Sequence, residues 1–164
     1  MSTIRNDVVN YVRELAEKHK DVLHSPAEQH FFRWLFQEVT HQQIESAHDP
    51  MVLLEPMDGR FTDNLGDDRR KRRTIAFVIA KRVTEYADWD EIDNTISECE
   101  AIGEQFIAKM INDRDTCVFL KWMDPNSVKI MDVGPLLNYT YGSRFEIEIT
   151  TKANLHYDAT KWNP

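Results

Sequence analysis

The fold is decided by a short segment near the C-terminal end, which reads Arg144-Phe145-Glu146-Ile147-Glu148-Ile149-Thr150. Apolar and polar side chains alternate through this segment without exception, which is typical of a β-strand that has one buried face and one exposed face. Upstream, Gly134-Pro135 is followed by Asn138-Tyr139-Thr140-Tyr141-Gly142. The sequence therefore predicts a long β-hairpin over residues 128–150, with a charged and β-branched outer face.

Composition indicates one domain. The chain has 164 residues, of which 41% are hydrophobic, and a chain of this length buries roughly 70% of its unfolded surface. We expect a single α+β domain over residues 1–151. Residues 152–164 show no clear period but contain large apolar side chains, so we expect a tail that docks on its own domain or on a neighbour.

Two amphipathic helices are predicted in the N-terminal part. Apolar residues recur every three or four positions after Ser2 and Thr3, either of which can cap a helix over residues 3–20. The sequence Ser25-Pro26-Ala27-Glu28 has the pattern of a capping box and predicts a second helix over residues 27–46. The apolar residues at 31–36 are dense enough that this part could equally be extended.

The middle of the chain alternates strands with one long helix. Residues 51–54 and 74–83 read as strands, and residues 60–62 could extend the first of them. Residues 89–112 show helical periodicity after a cap at Asp88 or Asp90. Residues 117–122 and 128–133 are further extended candidates. We therefore predict a twisted, mostly antiparallel sheet with helices packed on one face.

Charge argues against a general nucleic-acid-binding protein. The net charge is −8 and the isoelectric point is about 5.2, whereas phosphate binding requires a basic surface. The run Arg69-Arg70-Lys71-Arg72-Arg73 could bind phosphate, but Asp67 and Asp68 precede it directly. We favour a salt-bridged or intersubunit role for this run, within a long loop over residues 58–73 that becomes ordered in an assembly.

No catalytic or metal-binding pattern is present, so we expect no enzymatic activity and no cofactor. The six histidines form no metal-ligand spacing, and the glycines form no phosphate-binding loop. Cys99 lies on the apolar stripe of the predicted long helix and is expected to be a small core residue. The two cysteines suggest a reducing compartment, and no apolar run suggests a signal peptide or a membrane span.

Several segments resemble blocks in uncharacterised proteins of phage late-gene clusters. These segments are His30-Phe31-Phe32-Arg33-Trp34, Pro50-Met51-Val52-Leu53-Leu54-Glu55, Phe61-Thr62-Asp63-Asn64, Ala76-Phe77-Val78-Ile79, Val133-Gly134-Pro135-Leu136-Leu137, Tyr141-Gly142 and Asp158-Ala159-Thr160-Lys161-Trp162. The order of elements also resembles that of the tail-terminator, or tail-completion, proteins of long-tailed bacteriophages. The resemblance spans most of the chain but rests on diffuse structural motifs.

This resemblance implies a virion protein, assembled in the host cytoplasm, that forms a ring, most simply a hexamer, between the tail tube and the neck or connector proteins. DNA would pass through the ring without specific binding, which suits an acidic protein. The resemblance and the hairpin together suggest these subunit-interface candidates: Arg69, Arg70, Arg72, Arg73, Tyr139, Tyr141, Arg144, Glu146, Glu148 and Trp162. Another neck or tail component, such as a stopper or tube-like protein, and a small cytoplasmic enzyme or adaptor remain as alternatives.

Overall fold

The described residues form an α+β fold with two α-helices and a six-stranded sheet. The computed structural model describes residues 4–33, 46–62, 69–136, 139–153 and 159–161. In chain order the elements are α1 (Ile4–Lys18), β1 (Phe31–Arg33), β2 (Met51–Leu54), β3 (Asp58–Thr62), β4 (Arg70–Arg82), α2 (Trp89–Asp113), β5 (Met123–Leu136), β6 (Thr140–Lys152) and a short 3-10 helix, Ala159–Lys161.

The sheet has the strand order β1-β2-β4-β6-β5, and β3 pairs with β4 in addition. Among the described strands β1 and β2 are parallel, and the other pairs are antiparallel. At the centre, residues 70–82 of β4 pair with residues 152–140 of β6 without a break in register. Along the other side of β4, β3 lies beside residues 70–74 and β2 lies beside residues 77–80. These pairings confirm the predicted mostly antiparallel sheet.

Both helices pack on one face of the sheet, as predicted. The core there joins α1, α2 and the inward side chains of β2, β4 and β6. The rings of Phe77 and Phe145 stack with centroids 5.3 Å apart, and Phe106 of α2 packs on Phe77 at 5.8 Å. The three apolar side chains of the deciding segment, Phe145, Ile147 and Ile149, are fully buried in this core. Their alternation with charged residues is therefore explained by burial of one face.

A smaller apolar cluster lies on the opposite face of the sheet. It comprises Ala47, Met51, Leu53, Val78 and Ala80, with Val133 and Leu136 packed at its margin. Beyond this cluster, the same face of β4 and β6 carries charged side chains that form ion pairs. Burial on both faces explains why residues 75–80 are apolar at nearly every position.

The predicted helix over residues 27–46 is wrong at its start, where the structure has strand β1. Phe31, Phe32 and Arg33 pair in parallel with residues 52–54 of β2. The Ser25 hydroxyl does accept a hydrogen bond from the Glu28 amide at 3.0 Å, but it closes a turn rather than a helix. Pairing with β2 outweighs the local capping signal, and residues 34–45 lie outside the described residues.

The predicted long loop over residues 58–73 is also wrong. Asp58–Thr62 forms β3, and β4 begins at Arg70, so that both strands pair in an antiparallel hairpin. Basic side chains alternate between the two faces of β4 here, and ion pairs and ring contacts accompany them. Residues 63–68 lie outside the described residues.

The remaining boundaries agree closely with the prediction. Helix α2 begins after Asp88, whose carboxylate accepts a hydrogen bond from the Glu91 amide at 2.9 Å, so Asp88 rather than Asp90 is the cap. Residues 118–122 form turns instead of the expected strand. β5 and β6 form the predicted C-terminal hairpin, with irregular register on both sides of residues 129–133. Of the expected tail, Lys152 still belongs to β6.

Candidate subunit-interface surface

The sheet face opposite the helices presents a row of ion-paired side chains, which we call the charged sheet face. It consists of Glu55, Arg60, Arg72, Lys129, Arg144, Glu146 and Glu148. Strand register explains the row, because Glu146 and Glu148 alternate with buried apolar residues and lie beside outward-facing residues of β4 and β5. The sequence prediction of a charged outer face on β6 is confirmed.

Arg144 forms the best-ordered ion pair of this face. Its Nε and Nη2 donate to the two carboxylate oxygens of Glu55 at 2.6 and 2.8 Å, and Nη1 donates to Glu146 at 2.5 Å. The Glu55 side chain is only 7% exposed, so this pair is largely shielded from water. The hydrogen bond to Glu55 raises the pKa of Arg144 above its usual value. This bidentate contact ties β6 to the end of β2 across β4.

Glu148 is the second centre of the charged sheet face. Its two carboxylate oxygens lie 3.4 Å from Arg60 Nη2 and 3.6 Å from Arg72 Nη1. Its backbone amide donates to the Ser127 hydroxyl at 2.8 Å, which links β6 to the irregular part of β5. These contacts are longer and more exposed than that of Arg144, so each contributes little alone.

Three of the predicted basic residues lie away from this row. Arg69 precedes β4, and its carbonyl accepts a hydrogen bond from the Ala153 amide at 2.9 Å. The Arg70 guanidinium lies 5.8 Å from the centroid of the exposed Trp122 ring. Arg73 points to the helix-covered face, where Nη1 is 3.8 Å from Met57 Sδ and the buried Nε has no hydrogen-bond partner among the described residues.

The predicted tyrosines lie at the hairpin turn rather than on the charged sheet face. Tyr139 has a positive φ of 52° and is exposed, and the nearby carboxylate of Glu85 raises its pKa. Tyr141 packs its ring over Gly134, where an added Cβ would lie 2.4 Å from the ring. Both residues therefore shape the turn, and Trp162 lies outside the described residues.

Sequence reasoning missed three members of the charged sheet face, namely Glu55, Arg60 and Lys129. Their ion-pair partners come from other strands, and Arg144 and Glu55 are 89 positions apart in the chain. Only the strand register brings them together. The alternating charges on β6 indicated that partners were required, but not which residues would supply them.

Both lateral edges of the sheet are open within the described part of the chain. On one side the sheet ends at β5, which pairs only with β6. On the other side it ends at β1, which pairs only with β2 among the described strands, and at β3, which pairs only with β4. Residues 129–133 of β5 are regular and mostly exposed, and in β3 residues 58–61 are exposed and Thr62 is intermediate. Exposed strand edges offer unpaired backbone groups to another strand.

A cavity of about 700 Å³ opens between α1 and the turn at residues 118–122. Beside it, the Tyr11 hydroxyl donates to Asp113 at 2.9 Å, and burial together with this contact raises the pKa of Tyr11. Burial also raises the pKa of Cys99 to about 12, so this thiol stays protonated at neutral pH. Among the described residues, no three His, Cys, Asp or Glu side chains are grouped to hold a metal.

No family model matches the chain, and a search of curated proteins finds no match. No helix in the described ranges combines the length and the apolar character needed to cross a membrane.

Proposed function

We propose that this protein is a structural component of a phage virion, a tail terminator whose copies form a ring on the tail tube and join it to the head or neck. The open edges on both sides of one sheet are the observation that supports this proposal most directly. A subunit with two different strand edges that can pair makes heterologous contacts. Such contacts close into a ring when the rotation between neighbours permits it.

Charge supports the same function. A channel through which DNA moves benefits from a surface that does not retain phosphates, and the chain has a net charge of −8. Each of the four cations of the charged sheet face forms an ion pair with one of its three carboxylates, as Arg144 does with Glu55 and Glu146. A ring of such subunits would carry ion-paired charges on this face and a negative net charge as a whole.

Genetics and imaging of the virus that carries the gene test this proposal. Removal of the gene product is expected to leave filled heads and unjoined tails, the latter with irregular length. A labelled copy is expected at the head-proximal end of the tail by cryo-electron microscopy. Normal joined particles without the protein, or a label found elsewhere, would contradict the assignment as a tail terminator.

A further inference from the structure

The two open sheet edges match each other in length, direction and side-chain chemistry. We propose that residues 129–133 of β5 in one copy add antiparallel to β3 of the next copy, with Ile130 opposite Phe61 and Asp132 opposite Gly59. This inference rests on the proposed function, because it requires a head-to-tail assembly of identical chains.

Strand direction supports an antiparallel joint. β3 is antiparallel to β4, β4 to β6, and β6 to β5, so β3 and β5 run in opposite directions within one copy. A neighbour in the same orientation therefore brings its β3 antiparallel to β5. The sheet then continues across the joint with one pairing type and with its helix-covered face on the same side.

Side-chain alternation selects the register. Ile130 pairs with Phe145 on the helix-covered face, and Phe61 lies on that same face because it pairs with Lys71, which alternates in phase with Phe77. End-to-end alignment of the two five-residue segments keeps each side chain on its own face. In this alignment residue 129 lies opposite 62 and residue 133 opposite 58, and no two like charges are directly opposed.

The same register buries exposed apolar surface. Ile130 is 40% exposed and Phe61 is 55% exposed in the single chain. An aromatic residue opposite a β-branched residue is a favourable cross-strand pair. The contact between Ile130 of one copy and Phe61 of the next would therefore remove apolar surface of both side chains from water.

Charge complementarity supports a second copy as the occupant of β3. Asp132 is exposed and forms no ion pair with the described residues, whereas the buried Nε of Arg73 has no hydrogen-bond partner among them. Gly59 lies beside Arg73, and a Cβ at Gly59 would be 3.5 Å from Arg73 Cγ. The neighbour's Asp132, placed opposite this glycine, can reach over it toward the guanidinium. Burial, together with the charge of Arg5, lowers the pKa of Arg73, and a carboxylate there would offset both effects.

The register also determines how far neighbouring copies are shifted along the strands. Residues 129–133 are level with residues 76–80 of β4, whereas β3 is level with residues 70–74. Neighbouring copies are therefore shifted along the strands by about 20 Å, over a width of four strands, or about 19 Å. These values correspond to a strand tilt of about 45°, at the upper end of the tilts found in closed barrels.

Cysteine cross-linking tests the joint. The double variant Ile130→Cys and Phe61→Cys, made with Cys117→Ser to remove the half-buried thiol, is oxidised in the purified protein and in the tail sub-complex. We expect a ladder of disulfide-linked oligomers, since directly opposed cysteines lie near disulfide distance. The matched control, Ile130→Cys with Asp58→Cys, places the thiols on opposite faces and is expected to give about a tenth of the product or less.

A charge variant gives an independent readout. Asp132→Lys is expected to raise the protein concentration needed for half-assembly by about tenfold, because it places a cation near Arg73. Asp115→Lys makes the same charge change in an exposed turn and is expected to leave assembly unchanged. Unfolding curves verify that both variants fold.

The outcomes separate this inference from the proposed function. An oligomer that forms without the 130–61 cross-link, or that is unaffected by Asp132→Lys, overturns the joint but leaves the ring intact. Monomers in both the purified protein and the virion overturn both proposals. The ladder together with the weakened Asp132→Lys assembly supports the joint.

Discussion

At the scale of single residues, two positions are explained by what they contact: Gly103 in α2 and Arg144 in β6. Gly103 lies inside α2 directly over Phe145, and a Cβ there would be 2.0 Å from the nearest ring atom, Cε2. The close approach of helix α2 to Phe145 therefore depends on the absence of a side chain at residue 103. Arg144 and Glu55 form the second contact, an ion pair in which each side chain neutralises the other in a partly buried position.

Gly103→Ala is expected to destabilise the protein by about 1–3 kcal/mol, because the methyl group overpacks the contact with Phe145. The sign of the change in stability shows whether overpacking dominates, because the same substitution in an exposed helix stabilises it by about 1 kcal/mol. Urea unfolding measures the difference. Glu104→Ala, at the neighbouring exposed position, is the control and is expected to change stability little; an unchanged or higher stability of Gly103→Ala would show that the helix can move away.

Arg144→Met is expected to cost about 3 kcal/mol of unfolding free energy, because it leaves the buried Glu55 carboxylate without its partner. Lys129→Ala removes an exposed contact to Glu146 and is expected to cost less than about 1 kcal/mol. Thermal and chemical unfolding of both variants compares the two costs. Equal losses would mean that burial does not strengthen the Arg144 pair.

At the scale of elements, the sequence predicted those whose signal is local. β6 and α2 were predicted because alternation and a helical stripe can be read within each segment, and the cap at Asp88 lies beside its helix. β1 was missed because the dense aromatic residues near Phe31 fit either a helix or a strand. β3 was predicted only in part, as an extension over residues 60–62, and the first four residues of β4 were missed because a run of cations hides alternation.

Asp88→Ala is expected to lower stability by about 1 kcal/mol, because the Glu91 amide loses its acceptor at the start of α2. Asp90→Ala, two residues further along the chain, is the matched control. It should have a smaller effect, although it also removes a favourable charge from the helix start. Unfolding midpoints compare the two. A larger effect of Asp90→Ala would indicate that Asp90, and not Asp88, caps the helix.

The contact between Tyr11 of α1 and Asp113 at the end of α2 predicts a pH dependence. The pKa of Tyr11 is raised in the folded state, so its contribution to stability is complete below about pH 10, the ordinary tyrosine pKa, and is lost as pH rises above it. Tyr11→Phe should therefore be less stable than the wild type at pH 7, and this deficit should shrink above about pH 10. A deficit that is constant over pH 7–11 would exclude the linkage.

At the scale of the whole molecule, side chains on both faces of the sheet have contacts within the chain, whereas the outer strands have no described partner on their outer sides. The helices cover one face of the strands, and the other face carries the smaller apolar cluster and the charged sheet face. β5, β3 and β1 have no described partner on their outer sides. The sequence predicted the hairpin and its charged face, yet the pairing of Arg60, Lys129 and Glu55 with β6 depends on register and could not be read from the chain. The joint between copies depends on the same register.

The mass of the assembled protein tests most directly whether copies of this chain complete each other's sheets. Native mass spectrometry of the purified protein and of an isolated tail or neck sub-complex is expected to show a closed set of 19.3-kDa chains, with six as the expected number. A single chain in every preparation and in the particle would contradict the account.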